Sequence, residues 1–148
     1  MNLRLVRVRE NVPAPTFATD GAAGLDFYIP EEFFEKAADG SIRFGFFNAK
    51  RGALPLGWKV AIPPGYVGLL FIRSGVSTKG LSLMNAVGVI DSDFRGEVTA
   101  LLRADRDRAI IATRIVQMVI VKAERPTLEE VENLDDTTRG EGGFGSTG

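Results

Sequence analysis

The stretch Asn85-Ala-Val-Gly-Val-Ile-Asp-Ser-Asp-Phe-Arg-Gly-Glu97 sets the reading of this chain. Val87, Val89 and Ile90 suit a strand or hairpin arm pinned against a core. Asp91 follows the apolar pair Val89-Ile90, so its carboxylate stands at the end of a rigid element. A general base or a holder of metal-bound water is useful at such a place. Gly88 and Gly96 lack a Cβ, so backbone there can approach a ligand closely or take positive φ. Taken alone, Asp91 to Gly96 has the ordinary composition of a solvated β-turn. Its flanks decide between the two readings.

Working outward, the flanks are short apolar runs punctuated by Gly and Pro. Strands are expected at Leu3 to Val8, Leu25 to Ile29, Ile42 to Phe47, Trp58 to Ile62, Val98 to Leu102 and Ile115 to Val121. Tyr66 to Ile72 is apolar at nearly every position, the pattern of a strand buried on both faces. Glu31 to Ala38 reads as a short helix with Phe33, Phe34 and Ala37 on one face, stopped by Asp39-Gly40. Gly75 to Leu83 has room for a helical turn, and Ala104 to Arg108 is a charged turn. Thr127 to Glu130 matches a capping box, but the segment is short. Many short strands with Gly/Pro turns and little helix point to an all-β barrel or sandwich.

The 148 residues suffice for one domain with a sizeable core. A net charge of −1 provides no general basic field for nucleic acid or an anionic membrane, and no apolar run spans a bilayer. Neither nucleic acid nor membrane is expected as a partner, and no signal peptide is visible. Cys and His are both absent. That removes disulfides, thiol chemistry, Ser-His-Asp triads and ordinary zinc sites. Acid–base work must then fall to Asp, Glu, Lys, Tyr or water, and any metal site to oxygen ligands, which favours Mg²⁺ or Ca²⁺.

Residues 135–148 differ in kind, with five glycines and Phe144 as the one large apolar side chain. Composition alone describes a disordered terminus. Yet Arg139 can pair with phosphate, a ring can stack on a base, and a glycine backbone with hydroxyls can line an anion nest.

Five short stretches in order resemble the motifs of the trimeric deoxyuridine triphosphatase (dUTPase) family. They are Ala23-Gly-Leu-Asp26, Arg73-Ser-Gly75, Asn85 to Glu97, Arg114-Ile-Val-Gln117 and Arg139-Gly-Glu-Gly-Gly-Phe-Gly-Ser-Thr-Gly148. The resemblance covers the chain outside residues 30–52. It implies an all-β, jelly-roll-like distorted barrel of the β-clip type, with little helix and a flexible C-terminal arm. The barrel would be 1–134, with 30–52 as an insertion, and the arm 135–148 would complete the active site. The implied activity is Mg²⁺-dependent hydrolysis of dUTP to dUMP and pyrophosphate, which prevents uracil incorporation into DNA and supplies dUMP for thymidylate synthesis. A cytoplasmic enzyme is implied, or one of the host cytoplasm if a phage encodes it.

Residue by residue, the resemblance makes Asp91 the group that orients and deprotonates the attacking water. Asn85, with backbone at Gly88, Val89 and Ile90, would read uracil, and Phe94 would pack under the deoxyribose. Arg73, Ser74 and Gly75 would bind the phosphates; the alternative for Ser74 is a helix N-cap. Gln117 is the one amide in an apolar strand, fit for phosphate or for a structural hydrogen bond. Asp26 would hold metal-bound water or fix its neighbouring loop, and Arg114 would serve a subunit contact or ion pair. Arg139, Phe144, Gly145 and Ser146 of the arm would close over the substrate, with the ring on uracil. Mg²⁺ would sit on triphosphate oxygens and water, with no direct protein ligand. A homotrimer sharing its sites between subunits is likewise implied.

Departures from the family pattern are Phe94 for the usual Tyr, Ile72 for the common Pro, and Ala112, Thr113 and Val116 in the fourth motif. The 30–52 insertion, rich in Phe, reads as an extended mini-core, with a regulatory protein partner as the other use. Two rivals follow: a dCTP deaminase-type relative, which needs a glutamate base and lacks this tail, and a phage-type dUTPase that regulates by binding a protein.

Overall fold

A computed structural model describes residues 1–36, 42–44, 51–104 and 113–145. Its strands are β1 (Arg4–Arg7), β2 (Thr16–Phe17), β3 (Leu25–Tyr28), β4 (Phe34–Lys36), β5 (Ile42–Phe44), β6 (Arg51–Ala61), β7 (Tyr66–Ile72), β8 (Leu81–Leu83), β9 (Gly88–Ile90), β10 (Glu97–Ala104) and β11 (Arg114–Lys122). Among the described residues, helix is confined to the 3-10 turn Glu31–Phe33 and to α1 (Ser74–Ser77). No described helix is long and apolar enough to cross a membrane.

Two antiparallel sheets carry the fold, in the orders β1-β6-β10-β8 and β2-β3-β11-β7-β9, with β4-β5 as a separate hairpin. The architecture is the all-β, jelly-roll type that the sequence implied. Period-two alternation builds the core: β10 buries Val98, Ala100, Leu102 and Ala104, and leaves the residues between them at least partly open. Phe27, Leu54, Leu56, Leu70, Ile115 and Met118 complete the packing from other strands. β8 belongs to one sheet and β9 to the other, so the stretch around Asn85 crosses between them.

A bulge shapes the long strand β6. Glu97 pairs with Lys59 and Thr99 with Pro55, so β6 carries extra residues around Gly57. Gly57 sits at φ 78, where a side chain is strained, and a methyl there would lie 2.6 Å from Val12. Its N–H leaves the ladder and donates to Glu97 Oε1 at 2.7 Å. Glu97 also accepts from Arg9 Nε at 2.6 Å and Nη2 at 3.0 Å. Arg9 pairs with Glu32 as well and lies over the Phe33 ring, which ties the start of the insertion to the barrel. Donating to the Glu97 carboxylate holds the Arg9 guanidinium pKa above its ordinary value.

Two expectations need correction. Glu31 to Ala38 is not a helix: a 3-10 turn runs into β4, which pairs with β5. So short a helix is marginal on its own, whereas pairing with β5 satisfies backbone donors and acceptors of 34–36. The rest of that segment and of the Ile42 to Phe47 strand (37–41 and 45–47) lies outside the described residues, as does most of the charged turn at 105–108. Thr127 to Glu130, too short for the capping-box match to carry a helix, is irregular, and Leu128 there is 92% exposed. Finally, β7 is not buried on both faces. Gly68 and Leu70 are buried, and the remaining residues are half-covered.

The open face of β7 is continuous with its neighbours. Val67, Leu69 and Phe71 stand opposite Val121, Val119 and Gln117 of β11, and Leu69 stands opposite Val89 of β9. An apolar stripe therefore crosses the outer face of the five-stranded sheet, half-covered at Val67, Leu69, Phe71 and Val119 and exposed at Val89 and Val121.

Candidate active site

Two polar clusters lie at opposite ends of this stripe. The first is built on the stretch Asn85 to Glu97, around β9. β9 pairs with β7 so that Ile90 faces Gly68, which places Asp91 beside Val67. Asp91 is exposed and lines a cavity of about 640 Å³ with Tyr66, Val89, Ser92 and Arg125. Its turn is held locally: the Phe94 N–H donates to the Asp91 carbonyl at 3.2 Å. Arg95 Nη1 donates to the Ser92 and Phe94 carbonyls, both at 2.8 Å. Arg95 had drawn no role from the sequence, and nothing but its place inside the turn marks it.

At the other end of β9, the Asn85 amide nitrogen is 3.7 Å from where a Cβ on Gly88 would stand. Ala86 takes φ 58 to make this turn. Gly88 and Gly96 are not among the glycines with positive φ. Their bareness serves close approach: Gly88 packs on Leu70 and Gly96 on the Phe94 ring.

The second cluster centres on Asp26, which is 2% exposed. Arg73 Nε approaches its Oδ1 at 3.0 Å, and Arg114 Nη1 its Oδ2 at 3.0 Å. Arg114 also lies over the Tyr28 ring. Two cations on one buried anion leave a net positive site, and both guanidiniums stay partly exposed. Stretches far apart in the chain meet here because β11 pairs with both β3 and β7. Arg73, Ser74, Gly75 and Gln117 line a cavity of about 530 Å³, joined by Lys79 and Thr113, which the sequence reading had given no part in the site.

Ser74 is the first residue of α1, whose N-cap position is Arg73 without a side-chain cap bond, so the cap alternative for Ser74 is not realised. Gln117 lies flat on Gly24: a Cβ there would be 2.1 Å from Gln117 Oε1. Gly24 is in the first quoted motif, but only the register of β11 on β3 reveals its contact. In the arm, Arg139, Phe144 and Gly145 are exposed, and the ring touches neither cluster. Ser146 lies outside the described residues.

The two clusters do not meet within one chain. Arg73 is six residues along β7 from Val67, which in strand geometry is roughly 20 Å.

The family model described as dUTPase matches residues 10–148. This chain belongs to the dUTPase family. A deoxyuridine 5′-triphosphate nucleotidohydrolase of Corynebacterium glutamicum is 40% identical over 151 residues, covering 99% of this chain and 94% of its own length. The protein of the same name from Dictyoglomus turgidum is 38% identical over 146 residues, covering 96% and 95%. Among solved structures, a mutant dUTPase of Staphylococcus bacteriophage 80alpha with dUpNHpp matches at TM-score 0.81 and 25% identity, covering 99% of this chain and 98% of that one. The dUTPase of phage phi11 shares the fold at TM-score 0.69 and 22% identity, covering 93% and 100%.

Proposed function

We propose that this chain hydrolyses dUTP to dUMP and pyrophosphate, as a homotrimer whose sites are shared between subunits. The observation that carries the reading is the separation of Asp91 from Arg73 across a partly exposed apolar stripe. One holds groups suited to a nucleoside and a water, the other a cationic cradle suited to phosphates. A second copy laid on the stripe covers its apolar surface and sets its own Asp91 turn beside the first copy's Arg73. The names of the relatives and the family match support the substrate.

Each group then has a physical role. Asn85 and the backbone of Gly88 to Ile90 offer donors and acceptors along one short strand, suited to the edge of uracil. Phe94 packs against the sugar. Asp91 takes the proton of a water that attacks the α-phosphorus; the new P–O bond forms as the bond to the bridging oxygen breaks. Ser74 donates to that bridging oxygen as charge builds on the departing pyrophosphate. Arg73 supplies positive charge, and its pairing with Asp26 aims it. That pairing also supports Asp26 and Arg114 as fixing residues. The Gln117 carboxamide has no hydrogen bond among the described residues, which supports a part in phosphate binding over a structural one. Arg139, Phe144, Gly145 and Ser146 close from the arm and exclude bulk water.

A Mg²⁺ ion carried on triphosphate oxygens and water would neutralise phosphate charge beside Arg73. Such an enzyme lowers the dUTP available to polymerases and yields dUMP, the precursor of thymidylate.

The test is hydrolysis of dUTP, with dTTP, dCTP and UTP as controls, resolving dUMP and pyrophosphate. Asp91→Asn should lose at least about a hundredfold in kcat while retaining nucleotide binding. Uracil products from dCTP would instead indicate deaminase chemistry, and full activity of Asp91→Asn would refute the assigned base.

A further inference from the structure

The Phe94 ring rests on a bare backbone. A Cβ built on Gly96 would stand 2.5 Å from the ring's Cζ, 2.9 Å from Cε2 and 3.3 Å from Cε1. Real Cβ atoms do not come so close, so the far edge of the ring occupies the space that a methyl would fill. Gly96 is not in the left-handed region, so its backbone does not demand glycine. What demands it is the ring. The backbone that carries the ring is held as well. The turn closes through the Phe94 N–H on Asp91, and Arg95 grips the carbonyls of Ser92 and Phe94. The ring is still 40% exposed, so one surface remains open to a ligand.

We propose that Gly96 is a positioning residue that sets substrate specificity. Its bare Cα fixes the height of the Phe94 ring and, through it, the fit to a 2′-deoxyribose. This rests on the dUTPase reading above. A methyl at Gly96 obliges the ring to shift by about 1 Å to regain ordinary contact, and a misplacement of that size near the chemistry is worth up to about a hundredfold in rate. A deoxynucleotide that relies on the fitted ring loses that support. A ribonucleotide that never used it loses little.

The experiment is a double-mutant cycle with Gly96→Ala and Phe94→Ala, alone and together, in the full-length protein. kcat and KM are measured for dUTP and UTP, and Tm is measured without nucleotide. With the ring present, Gly96→Ala is expected to lower kcat/KM for dUTP roughly ten- to a hundredfold and to narrow the dUTP over UTP preference by about tenfold. In the Phe94→Ala background it should change neither kinetics nor Tm. Should Gly96→Ala fail to fold while the double variant folds, the ring is again shown to be what glycine accommodates. Equal effects in both backgrounds, or two variants that both fail to fold, overturn the proposal. Unchanged dUTP preference in a well-folded Gly96→Ala protein overturns it as well. A wild-type protein that leaves dUTP intact overturns the functional reading itself, and the proposal with it; a wild type that cleaves dUTP while the cycle is additive refutes the ring seat alone.

Discussion

Mixing two inactive variants tests the divided site directly. Asp91 stands beside Val67, at one end of β7, and Arg73 follows the other end. The run between them is roughly 20 Å of extended backbone, too far for one α-phosphate to meet both within a chain. Asp91→Asn removes the base. Arg73→Gln removes the phosphate's cation while leaving a donor for the buried Asp26 carboxylate. The lost charge-assisted contact is worth about 1.5–3 kcal/mol, or roughly 10- to 150-fold in rate. In a closed ring each chain lends its Asp91 to a neighbour's Arg73, so random reassembly of equal amounts makes about a quarter of the sites fully wild type. Unfolding the two variants together in mild denaturant and refolding them should thus restore about a quarter of wild-type dUTP hydrolysis. Sedimentation of the same sample checks that trimers re-formed. A remixed sample no more active than the mean of its two components would show that both residues serve one chain's site, and the argument from separation would fall.

Other perturbations separate packing from chemistry. Gly24→Ala places a methyl 2.1 Å from Gln117 Oε1; it should raise KM for dUTP about tenfold, match Gln117→Ala, and change stability by less than about 1 kcal/mol, since the far end of a flexible side chain yields. Phe144→Ala should lower kcat/KM for dUTP about 5- to 150-fold, the worth of one base stack of about 1–3 kcal/mol, with Tm unmoved because the ring is fully exposed in the free chain. Gly57→Ala should do the reverse: strain at φ 78 and the collision with Val12 cost about 2 kcal/mol, lowering Tm by several degrees with turnover at 25 °C intact. Leu69→Arg, in the middle of the outer stripe, should yield monomers in sedimentation and abolish dUTP hydrolysis together; an active monomer would contradict the shared site.

What the sequence disclosed follows from the range of the interactions involved. Tyr66 to Ile72 is legible as a strand because Pro63-Pro64-Gly65 and Arg73-Ser74-Gly75 punctuate it and apolar side chains fill it. The strand β7 has those bounds. The start of β6 was not legible, since Pro55 and Gly57 interrupt its period where the bulge lies, and only pairing with β10 extends the strand back to Arg51. Glu31 to Ala38 misled for a related reason: local composition favours a helix, and the partner that wins, β5, lies beyond an Asp-Gly break. The Asn85 to Glu97 stretch could be read whole because the groups proposed to meet the nucleoside are neighbours in the chain. The link of Asp26 to Arg73 and Arg114 could not, because it exists only through the register of β3, β11 and β7.

The apolar excess of β7 joins these observations. Read from the sequence, it meant a strand with both faces inside a core. In the structure one face has a core, and the other carries Val67, Leu69 and Phe71 with the half-open valines of β9 and β11. That second face lies between the Asp91 and Arg73 clusters, so a chain that buried it would also determine which Asp91 faces which Arg73. On the proposed trimer, hydrophobic pattern and catalytic geometry become two consequences of one surface. Its apolar residues would lower the free energy of association, and association would bring together groups that the separation along β7 keeps apart in each chain alone.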